Sequence, residues 1–398
     1  MSLNPIISET SAAYKFLSKL KFLLYFSSPV FNHIANFIIG ATQKGYNGTV
    51  TDIVSSSYEL CHRTTYGKFL SKGVWDEQYA WKAIKQEAIR HIYQYSKQTE
   101  GPIFVIYDDT ISEKTKPSSQ AKNPIEGTGY NHSHLKGKTV WSHQFLSTML
   151  SCGDRVFPYQ LDRYIKGGIK KTDRVCEVLE TLPIPKGAAY CLCDSWFTCP
   201  KIIDAHFKKG YHLIGALKTN RIIYPQGIHI QVAQFAQYIE ETDVHLVTVK
   251  GSSYWVYRYE GALNGIGNAV VVMCWPKDNF KGDKALHAFL CTDVELDTLT
   301  ILQYYSKRWP IEIFFRQTKG NLGLNKYRVR STKAIDRILV LIALSYLFCI
   351  IGSEIYKKFG IGVNHARYMT KQDQVVWIYE NAKKGIPLSY IKEQLKIS

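Results

Sequence analysis

At 398 residues the chain is long enough to enclose two or three hydrophobic cores, and a 45% hydrophobic share without low-complexity tracts excludes a disordered or fibrous protein. Lys and Arg outnumber Asp and Glu by 50 to 33, a net charge of +17, which points to an anionic partner, nucleic acid ahead of membrane. The excess is concentrated: residues 301–398 carry 17 basic against 6 acidic side chains, whereas 201–300 carry 10 of each.

Residues 1–100 read as mostly helical. TVTDIVSSS (49–57) and RTTYGKFLSK (63–72) are short amphipathic segments with a brief connection, the outline of a helix-turn-helix. The second would offer Arg63, Thr64, Thr65, Lys68 and Lys72 to a DNA groove, although two ordinary core helices satisfy the same spacing.

From residue 101 the texture changes. GPIFVIYDD is an apolar run after Gly-Pro that ends in acids, as a buried strand would. A polar, Gly-rich loop is expected over 115–142, then a hairpin from HQFLSTMLSC and RVFPYQLDRY about Gly153-Asp154. A helix over 170–182, a strand ending at Asp194, a helix over 199–209 and the strand YHLIGALKT complete an α/β layer. HLVTVKG, YWVYRYEGAL, AVVVMCWP and ALHAFLCTD then crowd residues 220–297 with strands, the pattern of an all-β insertion. Helix resumes near Leu299. The apolar run Ile338–Gly352 is too short for a bilayer and follows Asp336-Arg337 directly, so it is expected as a buried core helix. A basic helical tail, 355–398, is broken at Gly385-Ile386-Pro387. The fold class expected is therefore α/β: a mixed-sheet core (101–219 and 298–354) with an all-β insertion (220–297), a helical DNA-binding region (1–100) and a helical tail (355–398). Nine scattered cysteines without a C-x-x-C pair fit free thiols in a reducing, cytoplasmic setting.

Three acids stand where chemistry is concentrated. Asp108 and Asp109 close the first strand and Asp194 closes a later one, and open α/β sheets gather their sites at carboxyl ends of strands. A strand-end Asp by itself is more often a turn or cap. The third acid, Glu312, lies isolated in YYSKRWPIEIFFRQTK (304–319), among Lys307, Arg308, Arg316 and Lys319. In one helix Tyr305, Arg308, Glu312 and Lys319 would fall at roughly 0°, 300°, 340° and 320°, a single stripe. Trp309, Ile313 and Phe314 would form the packing side, with Pro310 starting or kinking the helix. The bland alternative is an ion pair of Glu312 with Arg308 or Arg316. Carboxylates from two strands and a helix make a hard-oxygen cage for Mg²⁺.

The spacing Y-x2-R-x3-E-x6-K, with Asp108-Asp109-Thr110 as a D-x-T and Asp194-Ser195-Trp196-Phe197 as a D-S-x-(F/Y), resembles the bacterial insertion-sequence transposases of the DDE class that carry this (YREK) signature. The resemblance covers roughly residues 100–350. It implies a ribonuclease H-like core, with Asp108, Asp194 and Glu312 as metal-binding catalytic acids and Asp109 as the competing first acid. It implies two Mg²⁺ ions, with Mn²⁺ able to substitute, and DNA end cleavage followed by strand transfer. Tyr305, Arg308 and Lys319 would hold phosphates, and Trp255 or Trp275 would stack a flipped base unless both are sheet-core residues. Arg316, Lys326, Arg328, Arg330 and Lys333 continue the basic run toward phosphate. The partners implied are element ends and target DNA, a homodimer formed on them through the tail, and no membrane, in a nucleoid-associated cytoplasmic protein. A ribonuclease H-like nuclease or resolvase, and a silent DNA-binding descendant, are the rivals. His132, His134 and His143 lie in a Lys- and Gly-rich stretch read as DNA contact rather than metal site.

Overall fold

The computed structural model describes residues 11–56, 62–133 and 135–395. Helices come first: α1 (Ala12–Lys19), α2 (Ser28–Thr42), α3 (Val50–Ser56), α4 (Arg63–Ser71) and α5 (Glu77–Thr99). Asp76 caps α5, its carboxylate accepting the Gln78 amide at 2.9 Å. α3 and α4 pack together, but their connection at 57–61 lies outside the described residues. Tyr66, Phe69 and Leu70 bury one face of α4, which leaves Arg63, Thr64, Thr65 and Lys68 exposed.

The core follows as β1 (Ile103–Glu113), β2 (Gly129–Ser133), β3 (Lys138–Cys152), β4 (Arg155–Tyr164), α6 (Lys171–Glu180), β5 (Ala189–Cys193), α7 (Pro200–Lys208) and β6 (His212–Leu217). β4, β3 and β1 are antiparallel neighbours, and β5 and β6 run parallel to β1 on its other side. This is the ribonuclease H-like mixed sheet expected. β2 and the start of β3 fall inside the stretch expected as loop. Their polar residues hid the strand period, because Asn131 is buried with its amide nitrogen donating to the Ser142 hydroxyl at 3.0 Å.

β1 pairs with β5 only from Ile103 to Ile106, yet it pairs with β3 as far as Glu113. The sheet therefore splits beside Tyr107, and Asp108 stands at the mouth of the split.

Residues 222–291 supply β7 (Ile222–Ile223), β8 (Ile230–Gln231), α8 (Val232–Phe235), β9 (His245–Val249), β10 (Ser252–Leu263), β11 (Ile266–Pro276) and β12 (His287–Cys291). β12 lies antiparallel between β6 and β11, so the inserted strands continue the core sheet. That edge-to-edge join is a long-range pairing that strand propensity does not encode.

The chain closes with α9 (Thr298–Tyr305), α10 (Pro310–Asn321), α11 (Thr332–Ile351), α12 (Phe359–Lys383) and α13 (Leu388–Gln394). Among the described residues α11 alone is long and apolar enough to cross a membrane, and 94% of its apolar window is buried inside the protein. It is a core helix. Arg337 within it is 1% exposed and donates to the carbonyls of Phe69, Leu70 and Trp75 at 3.0, 3.1 and 2.8 Å, pairing also with Glu77. That guanidinium ties the amino-terminal helices to the core.

Candidate active site

Successive side chains on a strand point to opposite faces, so Asp108 and Asp109 turn to different partners. The Asp108 carboxylate accepts from Arg308, Oδ2 to Nη1 at 2.6 Å. Thr110, two residues on, accepts from Lys319 at 2.6 Å. Asp109 turns the other way. Its oxygens are taken by Lys171 of α6 at 2.5 Å and by Gln144 of β3 at 2.9 Å. The geometry favours Asp108 as the acid that faces α10.

Asp194 follows the last residue of β5. Its Oδ1 accepts the amides of Trp196 and Phe197 at 3.0 and 3.3 Å, the turn that ends the strand. The bland role and the functional one thus coexist, because that turn fixes where the second oxygen points.

The stretch 304–321 is not one helix. α9 ends at Tyr305, a 3₁₀ turn spans Ser306–Arg308, and Pro310 opens α10. The turn still places Arg308 against Glu312, Nη2 to Oε1 at 3.1 Å. One guanidinium therefore bridges acids from β1 and α10. Trp309, expected on the packing side, is 57% exposed, because the break before Pro310 rotates it out of the helix stripe. Phe314 is buried as expected.

The electrostatics are those of a crowded acid cluster. Burial pushes the Asp108 carboxyl up to about 7; Arg308 pulls against that, while the charges of Asp194 and Glu312 add to it. Burial also raises Asp194, opposed by its two amide donors, with the Asp109 charge adding to the rise. Burial draws the Arg308 guanidinium down, but Asp108, Tyr305 and Glu312 outweigh it and keep it fully charged. The Tyr305 hydroxyl is pushed up to about 12 by burial, against the pull of Arg308, and its ring packs on Phe289 at 4.5 Å. Burial lowers Lys319, opposed by Glu312.

The donor set offered to a cation is all carboxylate oxygen, the chemistry of Mg²⁺ or Mn²⁺. Asp108 and Glu312 already close on a cationic group, Arg308, which fits such an ion. Among the described residues no three acids, histidines or cysteines enclose a common point.

Other expected residues scatter. Trp275 is 2% exposed and packs on Phe280, so its face is closed to a base. It and Trp255 sit opposite each other on β11 and β10, and the Trp255 indole nitrogen donates to Lys277 O at 3.2 Å. Arg316, Lys326, Arg328 and Lys333 are exposed, and Arg330 is exposed with one nitrogen on Asn123 O at 2.8 Å. His143 is buried between Tyr327 and the Glu126 carbonyl, a packing role. His132 is exposed, and His134 lies outside the described residues. Lys171 and Gln144 carried no spacing signal; only the fold brings them to Asp109.

The strand order and the split beside Tyr107 are those of a ribonuclease H-like fold. A model of the transposase DDE domain matches residues 99–348, more than half the chain, and the protein belongs to that family. No curated protein matches the chain. Among solved structures it is similar to the piggyBac transposase synaptic complex with hairpin DNA, at 10% identity and a TM-score of 0.52, over 96% of this chain and 80% of that one. At that identity the likeness concerns the fold.

Proposed function

We propose that this DDE-family protein cuts DNA at the ends of a bacterial insertion sequence of the Y-x2-R-x3-E-x6-K group and joins the freed 3′ ends to target DNA. The observation that carries the proposal is the single cation, Arg308, clasped by Asp108 and Glu312 with Asp194 near enough to raise Asp108. Three carboxylates against one guanidinium leave excess negative charge in a half-buried site, and divalent ions held by Asp108, Asp194 and Glu312 would relieve it. When bound, two such ions would activate the attacking water or 3′-hydroxyl and stabilise the leaving oxygen.

The chain's own side chains supply the grip. Once Asp108 and Glu312 turn to metal, the planar fork of Arg308 is free for a phosphate. Lys319 stands seven residues beyond Glu312, about 10 Å along α10, and presents its ammonium to a neighbouring phosphate. Tyr305 stays protonated through the neutral range and can donate to a phosphate oxygen. Synapsis of two ends needs two protomers, so the protein dimerises on DNA. The Y-x2-R-x3-E-x6-K resemblance, to a group whose members form a hairpin on the element end, supports that intermediate here.

The test is cleavage of labelled duplexes drawn from the flanks of the gene, with Mg²⁺ or with chelator, by wild type and Glu312→Gln. Metal-dependent cutting that falls more than about 100-fold in the variant, with binding retained, supports the proposal. Equal cutting by both would make the Glu312 face structural. Cut ends that never join target DNA would reduce the protein to a nuclease.

A further inference from the structure

β1 does not stop at its acids. Asp108, Thr110, Ser112 and Lys114 follow one another at every second position, steps of about 6.6 Å along one face. The chain after Glu312 keeps pace beside them. Lys319 reaches Thr110, and Lys114 then donates to the carbonyls of Asn325 and Tyr327 at 3.1 and 3.2 Å, with its ammonium 3.6 Å from the Tyr327 ring centre. Farther on, Arg330 donates to Asn123 O. These bonds fasten the loop after β1 to the segment after α10 at both ends.

Between the two lies a cleft of about 550 Å³. Its lining includes four cations, Lys114, Lys116, Arg328 and Arg330, beside Asn123 and Tyr327, and none of its lining residues is an acid. The nearest carboxylates are engaged elsewhere: Glu113 with Lys136 at 2.5 Å, and Glu126 with the Thr332 amide at 2.8 Å. Burial lowers Lys114 to about 8, so even its charge is held without a counter-ion. Lys114 and Arg330 are committed to carbonyls and set the width of the cleft. Lys116 and Arg328 are exposed and form no ion pair among the described residues, so they are the arms left to bind.

We infer that this cleft grips the phosphate backbone of DNA about 20 Å from the scissile phosphate. The distance comes from the strand: six residues from Asp108 to Lys114 span about 20 Å. The inference rests on the DNA-cleavage proposal above and adds to it a second, sequence-independent clamp and its distance from the cut. It also explains why the basic excess continues past Lys319, through Lys326, Arg328 and Arg330.

The experiment is phosphate-ethylation interference on an end-labelled duplex from the gene's flank, with full-length wild type and the double variant Lys116→Ala, Arg328→Ala. Both side chains are exposed, and an unchanged Tm confirms that the variant folds. Wild type is expected to show interference at the cut and again at a second, separate set of phosphates about 20 Å from it in the duplex; the variant keeps the first and loses the second. The slope of log affinity against log salt should shallow by about 2, from two lost phosphate contacts at about 0.9 each. If wild type cuts the duplex but interference and slope are the same in both proteins, the clamp is wrong and the cleavage proposal stands. If wild type neither binds nor cuts, both fall together.

Discussion

Replacing Arg308 by Ala tests whether its guanidinium stands where a metal ion would. In the folded protein it makes two charge-assisted bonds, to Asp108 at 2.6 Å and to Glu312 at 3.1 Å. Asp108 is 14% exposed, so that bond is worth about 2 kcal/mol, whereas the Glu312 side chain is 40% exposed and solvent screening cuts its share to under about 1 kcal/mol. An ion that takes both carboxylates must break both bonds. Removing the guanidinium abolishes that cost, about 2–3 kcal/mol, and the first Mn²⁺ should bind roughly 30- to 150-fold more tightly by about 1.4 kcal/mol per decade. The titration belongs at pH 8, because Asp108 without Arg308 will hold its proton to higher pH than about 7. Calorimetric titration of wild type, Arg308→Ala and Arg308→Lys, with thermal unfolding in chelator, gives both sides of the trade. The metal-free Ala variant should be less stable than wild type and should gain more from Mn²⁺. Equal or weaker Mn²⁺ binding by the Ala variant at pH 8 would mean that Arg308 supports the ion rather than occupying its place.

Arg337→Met should cost about 3–5 kcal/mol in urea unfolding, since three backbone carbonyls and Glu77 lose their buried donor; a loss under about 1 kcal/mol would deny that this residue ties the amino-terminal helices to α11. Trp275→Ala should cost about 3–5 kcal/mol as a core deletion, whereas Trp309→Ala, at an exposed site, should stay within about 0.5 kcal/mol in the same assay. His143 and His206 are both lowered to about 4 by burial, each opposed by a backbone carbonyl. The unfolded chain therefore binds protons that the fold refuses between about pH 6.5 and 4, so their contribution to stability is complete above 6.5 and lost as pH falls toward 4. Urea midpoints measured across that window should fall, and His206→Gln should flatten the fall; an unchanged slope would deny that burial keeps the imidazole neutral.

The legible part of this protein is what short-range pattern encodes. Period-2 and period-3.6 apolar spacing gave β1, β3 to β6, α10 and α11, and strand-end acids marked Asp108 and Asp194. Four residues of separation sufficed to put Arg308 and Glu312 on neighbouring turns, even though the helix breaks between them at Pro310. Other features depend on contacts between distant segments. Only the pairing of β1 with β5, which stops at Ile106, opens the sheet at Asp108. Only the fold brings Lys171 of α6 and Gln144 of β3 to Asp109. Only the β12–β6 pairing makes the inserted strands one sheet with the core. A sequence by itself determines which residue types recur at which spacing, because local backbone geometry turns spacing into faces. Which face meets which is settled by tertiary packing, which brings segments as far apart as Asp108 and Arg308 into one contact.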